Sequence, residues 1–320
     1  MIGDTKIKVR VTDAVTINPL IKQFRFVSCD GSDLPAFSSG AHIFVEMEDN
    51  GTRRLNQYSL MSTPEDLSCY TISVRRDDVG RGGSVFMHNH VQAGMEMVIS
   101  HPINFFPLDV RARKHLFVAG GIGITPFIAH MAQLLGQDHK FELHYSARSR
   151  ELGAYVDHLK DIYGSKVHCY FDDQNQKINL ENLLQGQAIG THVYICGPKP
   201  MISWVRQTAE KCGWPDQAVH YEEFLAPPTG KPFVVELARS KKTFTVSTNQ
   251  SLLEAIEAAG VDAPYLCRGG ACGQCITNVV SCDGEIEHND HWFEPDEHNE
   301  FGTIMPCVSR FCGKSLVLDR

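Results

Sequence analysis

The chain has 320 residues, is 42% hydrophobic and carries a formal net charge of −8. That length allows two or three separate cores, and the acidic balance excludes a nucleic-acid-binding role, which needs basic surface. The charge is uneven: from Phe233 onward there are 7 basic and 13 acidic side chains, a net of −6.

No export signal or membrane partner is expected. Met1-Ile2-Gly3-Asp4-Thr5-Lys6 leads at once into an alternating, half-polar segment. The most apolar window, 115–136, is broken by glycines and a proline and contains two histidines and a glutamine. Eleven cysteines in such a chain point to the reducing cytoplasm, where thiols serve as metal ligands or small buried apolar groups.

In chain order, the first third reads as short strands split by Gly, Pro, Asp and Asn turns: Ile7–Val11, Ile21–Val27, His42–Met47, Gln57–Met61, Tyr70–Val74 and Met95–Ser100. One helix, Gly83–Val91, interrupts them, and six such strands predict a closed antiparallel barrel. Strands then alternate with helices. The strands are His115–Ala119, Phe141–Tyr145, Val167–Phe171, His192–Cys196 and Val219–Glu222; the helices are Pro126–Leu135, Leu152–Ile162, Leu180–Leu184 and Met201–Cys212. This alternation predicts a parallel sheet wrapped by helices, with ligands at the carboxyl ends of the strands. Ala226-Pro227-Pro228-Thr229-Gly230-Lys231-Pro232 reads as a linker. Two strands, a helix at Leu252–Ala259, a cysteine loop and further short elements follow. The expected division is 1–110, 111–225, the linker 226–232, and 233–320.

The cysteine loop reads Cys267-Arg-Gly-Gly-Ala-Cys272-Gly-Gln-Cys275, with Cys307 far downstream. One loop giving three thiolates and a distant residue closing the site is the spacing of a plant-type [2Fe–2S] cluster. Gly269, Gly270, Ala271 and Gly273 let the backbone curl so that N–H groups face the sulfurs. Zinc is the competing reading, but zinc ligands usually come as paired short gaps. Cys282 and Cys312 are the alternatives to Cys307 as fourth ligand.

Ala119-Gly120-Gly121-Ile122-Gly123-Ile124-Thr125-Pro126 follows an apolar strand and opens a helix. Its glycines allow close backbone approach, and the helix N-terminus offers N–H groups to a diphosphate. Proline replaces the last glycine of the usual dinucleotide fingerprint, so a standard Rossmann label does not apply. Asn56-Gln57-Tyr58-Ser59-Leu60 ends a strand, Gly80-Arg81-Gly82-Gly83-Ser84 opens a helix after Arg75-Arg76, Cys196-Gly197-Pro198 ends a parallel strand, and Tyr221-Glu222-Glu223-Phe224 precedes the linker.

On these motifs, in this order and over essentially the whole length, the chain resembles the phthalate dioxygenase reductase family of the ferredoxin–NADP reductase superfamily. The resemblance implies an antiparallel β-barrel flavin domain, an α/β nicotinamide domain and an α+β, β-grasp ferredoxin domain. It implies that Tyr58 and Ser59 belong to the Arg-x-Tyr-Ser flavin motif, with Tyr58 against the isoalloxazine, and that Gly82, Gly83 and Ser84 hold the flavin phosphate. Gly120, Gly121, Gly123 and Thr125 would serve both cofactors, Cys196, Gly197 and Pro198 would border the nicotinamide, and Phe224 would pack near the flavin. The family's Cys-Val-Ser-Arg context favours Cys307 as fourth cluster ligand. The implied cofactors are FMN, a [2Fe–2S] cluster and NADH, with NADPH as the alternative donor and Arg148 as a residue where a 2′-phosphate could lie.

One departure stands out. The motif arginine that pairs with flavin phosphate is Asn56, and an amide does not replace a forked, permanent charge; Arg75, Arg81, Arg53 and Arg54 are the substitutes to consider. Asn-x-Tyr-Ser, with Lys114-His115-Leu116-Phe117, resembles reductase components of carnitine monooxygenases. The implied activity is reduction of a Rieske-type terminal oxygenase by a monomeric reductase, with Thr125, Cys196 and Phe224 at the hydride-transfer site. Alternatives are a reductase for an aromatic-ring dioxygenase or O-demethylase, a stand-alone flavin or ferric reductase, and a non-enzymatic redox sensor. His288, Asp290 and His291 read as a solvated acidic loop.

Overall fold

The structure, a computed structural model, describes residues 6–49, 52–137, 139–293, 297 and 302–320. The opening residues Met1–Thr5, which bear on an export signal, lie outside them. Seven strands form the first, wholly antiparallel sheet: Lys6–Asn18 (β1), Ile21–Ser28 (β2), Ala41–Asp49 (β3), Thr52–Ser59 (β4), Tyr70–Arg75 (β5), Glu96–Ser100 (β6) and Ile103–Asn104 (β7). Their order is β4-β3-β6-β1-β2-β5, with β7 on β3, and the helix Gly83–His90 (α1) stands between β5 and β6. Val9 and Val11 are buried between exposed neighbours as period two demands. Irregularities at Val11/Asp13 and Thr16/Asn18 then break the alternation, which is why β1 runs seven residues past its expected end at Val11. β4 begins five residues early and stops at Ser59 rather than Met61, because cross-strand charge pairs such as Arg53 with Glu46 stabilise pairing that apolar alternation does not signal.

The second sheet is parallel throughout: Lys114–Gly120 (β8), Lys140–Ala147 (β9), Val167–Phe171 (β10), Thr191–Cys196 (β11) and Val219–Glu222 (β12), in the order β10-β9-β8-β11-β12. Helices Thr125–Gly136 (α2), Val156–Tyr163 (α3), Leu180–Gln185 (α4) and Lys199–Lys211 (α5) connect them. Leu116, Phe117 and Val118 are wholly buried, as expected of a strand covered on both faces, and each contributes about 1.5–3 kcal/mol. α3 starts at Val156, not Leu152: Tyr155 takes a left-handed backbone (φ 61°), and its hydroxyl bridges to Ser73 and Gln23. That bridge, the His130–Ser39 hydrogen bond at 2.8 Å, and a core that includes Ile21, Phe106 and Phe127 tie both sheets into one compact unit ending at Glu223.

Phe224 begins a second unit. It contains Phe233–Leu237 (β13), Lys242–Val246 (β14), Leu252–Ala258 (α6), Thr277–Cys282 (β15), Glu285–Glu287 (β16), Thr303–Ile304 (β17), Arg310–Cys312 (β18) and Ser315–Leu318 (β19). The sheet order is β14-β13-β19-β15-β17, with β13 and β19 parallel, and β16 pairs separately with β18. A capping box starts α6: Glu254 N–H donates to Ser251 Oγ at 3.1 Å, and Ser251 N–H donates to Glu254 Oε2 at 2.8 Å.

The stretch expected as a free linker is partly fixed. Arg310 is 2% exposed and donates to the carbonyls of Lys231 (3.0 Å), Gln250 (2.8 Å), Ser247 (3.4 Å) and Pro228 (3.5 Å). Among the described residues, no helix is long and apolar enough to cross a membrane.

Candidate cofactor sites

The strand order of the parallel sheet reverses between β8 and β11, so the loops leaving these strands diverge and open a crevice at their carboxyl ends. After β8, Gly121–Ile124 make a single 3-10 turn, and α2 begins with Pro126 in its first turn, where proline's missing N–H costs nothing. After β11 come Cys196 and Gly197, and Pro198 caps α5. The loops touch backbone to backbone. A methyl on Gly123 would lie 2.2 Å from the Cys196 carbonyl oxygen, and one on Gly197 3.1 Å from Gly120 Cα. A methyl on Gly120 would meet Pro198 Cδ at 2.8 Å. Gly121 is left-handed (φ 55°), and its carbonyl accepts from the Tyr145 hydroxyl at 3.1 Å. Thr125 is buried, its hydroxyl donating to Ile122 O at 3.0 Å.

Beside Cys196, in register on β12, stands Glu222, which the sequence reading passed over. Its Oε2 is buried without a hydrogen-bond partner, and desolvation pushes the carboxyl up to about 8. The Cys196 thiol is raised by burial and then by the neighbouring Glu222 carboxylate, so it is a neutral packing group rather than a nucleophile. A raised carboxyl stabilises the fold fully below its ordinary value of 4.5, and that contribution is lost as pH rises towards about 8. Glu222→Gln is expected to match the wild type near pH 4.5 and exceed it near pH 8 by on the order of 1–3 kcal/mol. Urea denaturation at the two pH values checks this; an unchanged slope would show that the carboxyl is ionised in the folded chain.

Asn56 and Tyr58 share one face of β4, and Asn56 Nδ2 donates to the Tyr58 hydroxyl at 3.2 Å. A methyl on Gly83 would lie 2.4 Å from that same Nδ2, so Asn56 sits over the start of α1, where Gly82 is left-handed (φ 94°). Ser59 Oγ is buried with no hydrogen-bond partner, which suits a bound polar ring edge. The Ser84 hydroxyl is engaged with its own turn, accepting from Asp77 N–H at 3.0 Å. Of the candidate arginines, Arg53 makes a two-point pair with Glu46 (2.8 and 3.0 Å), Arg54 is buried, Arg75 is exposed and Arg81 half-buried. Arg148 is exposed after β9, and Arg150 pairs with Asp157. Phe224, 40% exposed, opens the second unit.

In the second unit the four loop cysteines converge. Cys275 and Cys307 sulfurs are 3.2 Å apart, and Cys267 lies within reach of Cys272, whose Sγ accepts from Cys267 N–H at 3.4 Å. Gly269 and Ala271 N–H groups donate to Cys267 Sγ at 3.4 and 3.3 Å. The hydrogen bond from the Cys272 thiol, reinforced by these amides, holds Cys267 below the ordinary thiol range. Four gathered thiols ringed by amide donors fit an anionic iron–sulfur centre. Cys282 and Cys312 are exposed on β15 and β18. Asp290 is not part of a solvated loop: its side chain is fully buried, it accepts from Phe293 N–H at 3.2 Å, and a methyl on Gly270 would meet its Cα at 3.0 Å.

A switch-point crevice with a diphosphate-type turn, a strand–helix corner with an orphaned serine hydroxyl, and a four-thiol loop together define a nicotinamide-dependent flavin iron–sulfur oxidoreductase. Residues 97–219 match the family model for the dimethylamine monooxygenase subunit DmmA-like N-terminal domain, and 235–312 match the 2Fe-2S iron-sulfur cluster binding domain. The chain is 44% identical to the heme-dependent oxidative N-demethylase beta subunit of Ectopseudomonas mendocina, covering 98% of this chain and 99% of that one. It is also 44% identical to the carnitine monooxygenase reductase subunit of Acinetobacter baumannii, over 97% and 96%. A solved phthalate dioxygenase reductase superposes with a TM-score of 0.89 at 35% identity, covering 99% of this chain and 98% of that one. The chain belongs to the phthalate dioxygenase reductase-like family, the reductase components of oxygenase systems.

Proposed function

We propose that this reductase serves an oxygenase that attacks methylated amines, taking electrons from NADH, with FMN in the first unit and a [2Fe–2S] cluster on Cys267, Cys272, Cys275 and Cys307. The observation that carries this reading is the combination, in one chain, of the Gly120–Cys196 crevice and the four-thiol loop, with two full-length relatives named for such substrates. Bound together, flavin and cluster convert two-electron hydride donation into single-electron delivery. The residues themselves bind, orient and exclude water. Gly120, Gly121 and Gly123 admit the diphosphate, and Thr125 and Cys196 wall the reacting face. Tyr58 and Ser59 hold the ring, while Gly82, Gly83 and Ser84, with Arg81 and Arg75, take the phosphate that Asn56 cannot pair. Exposed Asp172 and Asp173 follow β10, and Asp173 N–H donates to Arg148 O at 3.0 Å. Carboxylates there oppose a 2′-phosphate, which supports NADH over NADPH and leaves Arg148 for the ribose.

In this reading the first sheet closes into a barrel, supported by the Met61 N–H bond to Thr71 O at 2.8 Å, which joins the segment after β4 to β5. The mixed second-unit sheet with α6 is a β-grasp. None of the eleven cysteines is in a disulfide, in keeping with a reducing cytoplasm; we take the chain to act as a monomer. The acceptor is a Rieske-type oxygenase of the carnitine kind. A heme-dependent N-demethylase is the second reading, favoured by the relative named for that activity, which matches over 98% of this chain.

Reconstitution decides between them. The chain is mixed with NADH and either a carnitine-type Rieske oxygenase or a heme-dependent N-demethylase catalytic subunit, and loss of carnitine or release of formaldehyde from dimethylamine is followed. Carnitine loss is the expected result. Formaldehyde alone moves the assignment to the heme enzyme, and NADH consumption without either product leaves a stand-alone reductase.

A further inference from the structure

The cluster loop has a half-exposed aromatic seated on it. Gly273 lies between Cys272 and Cys275 with a left-handed backbone (φ 69°), and a methyl there would meet the Trp292 indole at 2.6 Å from Cε2. Trp292 is 50% exposed, so one part of the ring packs on the loop and the rest faces water. Its position is fixed from both sides. His291 N–H donates to Gly270 O at 3.0 Å, and buried Asp290 holds the turn through Phe293 N–H. Among the described residues of the second unit, Trp292 and Phe224 are the exposed aromatic side chains with large apolar area. The stretch of chain that carries Trp292 is acidic. Glu285 and Glu287 are exposed on β16, and Glu294, Asp296, Glu297 and Glu300 follow Trp292 in sequence.

We propose that Trp292 is the anchor on which the terminal oxygenase docks, its indole entering an apolar notch within a basic surface of that partner. The proposal rests on the oxygenase-reductase reading above. Electron tunnelling falls off steeply with distance, so the acceptor must dock where the cluster loop meets solvent, and Trp292 stands on that loop. Tryptophan is the side chain most enriched among residues that dominate binding energy, and an acidic surround steers a basic partner while leaving the central apolar contact to set its residence time.

The test uses the holoprotein and whichever oxygenase subunit the wild-type chain reduces in the reconstitution. Isothermal titration measures Kd for wild type, Trp292→Ala and Trp292→Phe, alongside iron content, the rate at which NADH reduces the cluster, and the salt dependence of binding. The Ala variant is expected to weaken binding at least about tenfold and the Phe variant less, with cluster content and NADH-driven cluster reduction unchanged. If Ala costs the cluster, Phe, which keeps a ring against Gly273, decides alone by a measurable rise in Kd. Unchanged Kd in the variants, whether or not the cluster bleaches faster in air, overturns docking and makes Trp292 a shield; a loss confined to self-association overturns it in favour of a second copy. A wild type that binds no oxygenase sinks the functional reading itself.

Discussion

Cys272→Ser should yield a protein that still reduces small dyes with NADH but no longer drives an oxygenase. Cys272 stands with Cys267, which feels the sulfur of its neighbour as well as the Gly269 and Ala271 amides. A serine hydroxyl ionises far less readily than a thiol and binds iron poorly. The variant therefore loses one of four anionic ligands from a site whose remaining three cannot close it. Bound iron and sulfide are expected to fall from two of each per chain towards zero, and coupled turnover by at least about a hundredfold. Dye reduction is expected to stay within about twofold, because the residues assigned to flavin and nicotinamide, apart from Phe224, lie in the first unit, which has its own core. Iron and sulfide analysis, flavin absorbance and steady-state rates with ferricyanide and oxygenase measure all four quantities. A folded, flavin-loaded variant without dye reduction would mean that the two units do not divide the work in this way.

Gly123→Ala should do the opposite. Its new methyl would lie 2.2 Å from the Cys196 carbonyl oxygen, 2.5 Å from the carbonyl carbon and 2.8 Å from Gly197 N. All three are backbone atoms, so no side-chain rotation relieves the contact. The turn after β8 must move away from β11, at a cost of about 1–3 kcal/mol. A displacement on the order of 1 Å at a hydride-transfer site costs about a hundredfold in rate. Stopped-flow flavin reduction by NADH is expected to fall by that order, with cluster content unchanged. Gly136→Ala is the control, since a methyl there meets nothing within 4 Å. Wild-type flavin reduction in Gly123→Ala would show that the crevice between these loops is not the nicotinamide site.

Local patterns made much of this chain readable before its structure. The strand–helix alternation after His115, the glycine turn at Gly120–Gly123 and the cysteine spacing are each written in the order of residues along the chain. Features created by topology were not. Glu222 is an ordinary strand residue until β12 pairs with β11 and sets it beside Cys196. Asn56 looked like a missing charge, yet it lies over Gly83 and binds Tyr58, because α1 folds back on β4. Asp290 and Trp292 sit in a charged stretch whose composition signals solvent exposure, and only the return of the chain over the cysteine loop gives them partners. The extents of β1 and β4 escaped for a simpler reason: bulges and cross-strand ion pairs hide strands from a search for apolar alternation.

The Arg310 clasp turns the Pro/Gly-rich stretch into framework. A chain whose carbonyls at Pro228 and Lys231 are held by a buried guanidinium does not flex there, although its composition reads as flexible. The second unit already begins at Phe224, so the held stretch belongs to the frame of that unit. An insertion between Pro228 and Lys231 would pull one of those carbonyls off a guanidinium that also serves Ser247 and Gln250, and the buried charge would lose part of its shell of acceptors. A segment whose composition promises tolerance to insertion is therefore one of the less forgiving places in the cluster unit.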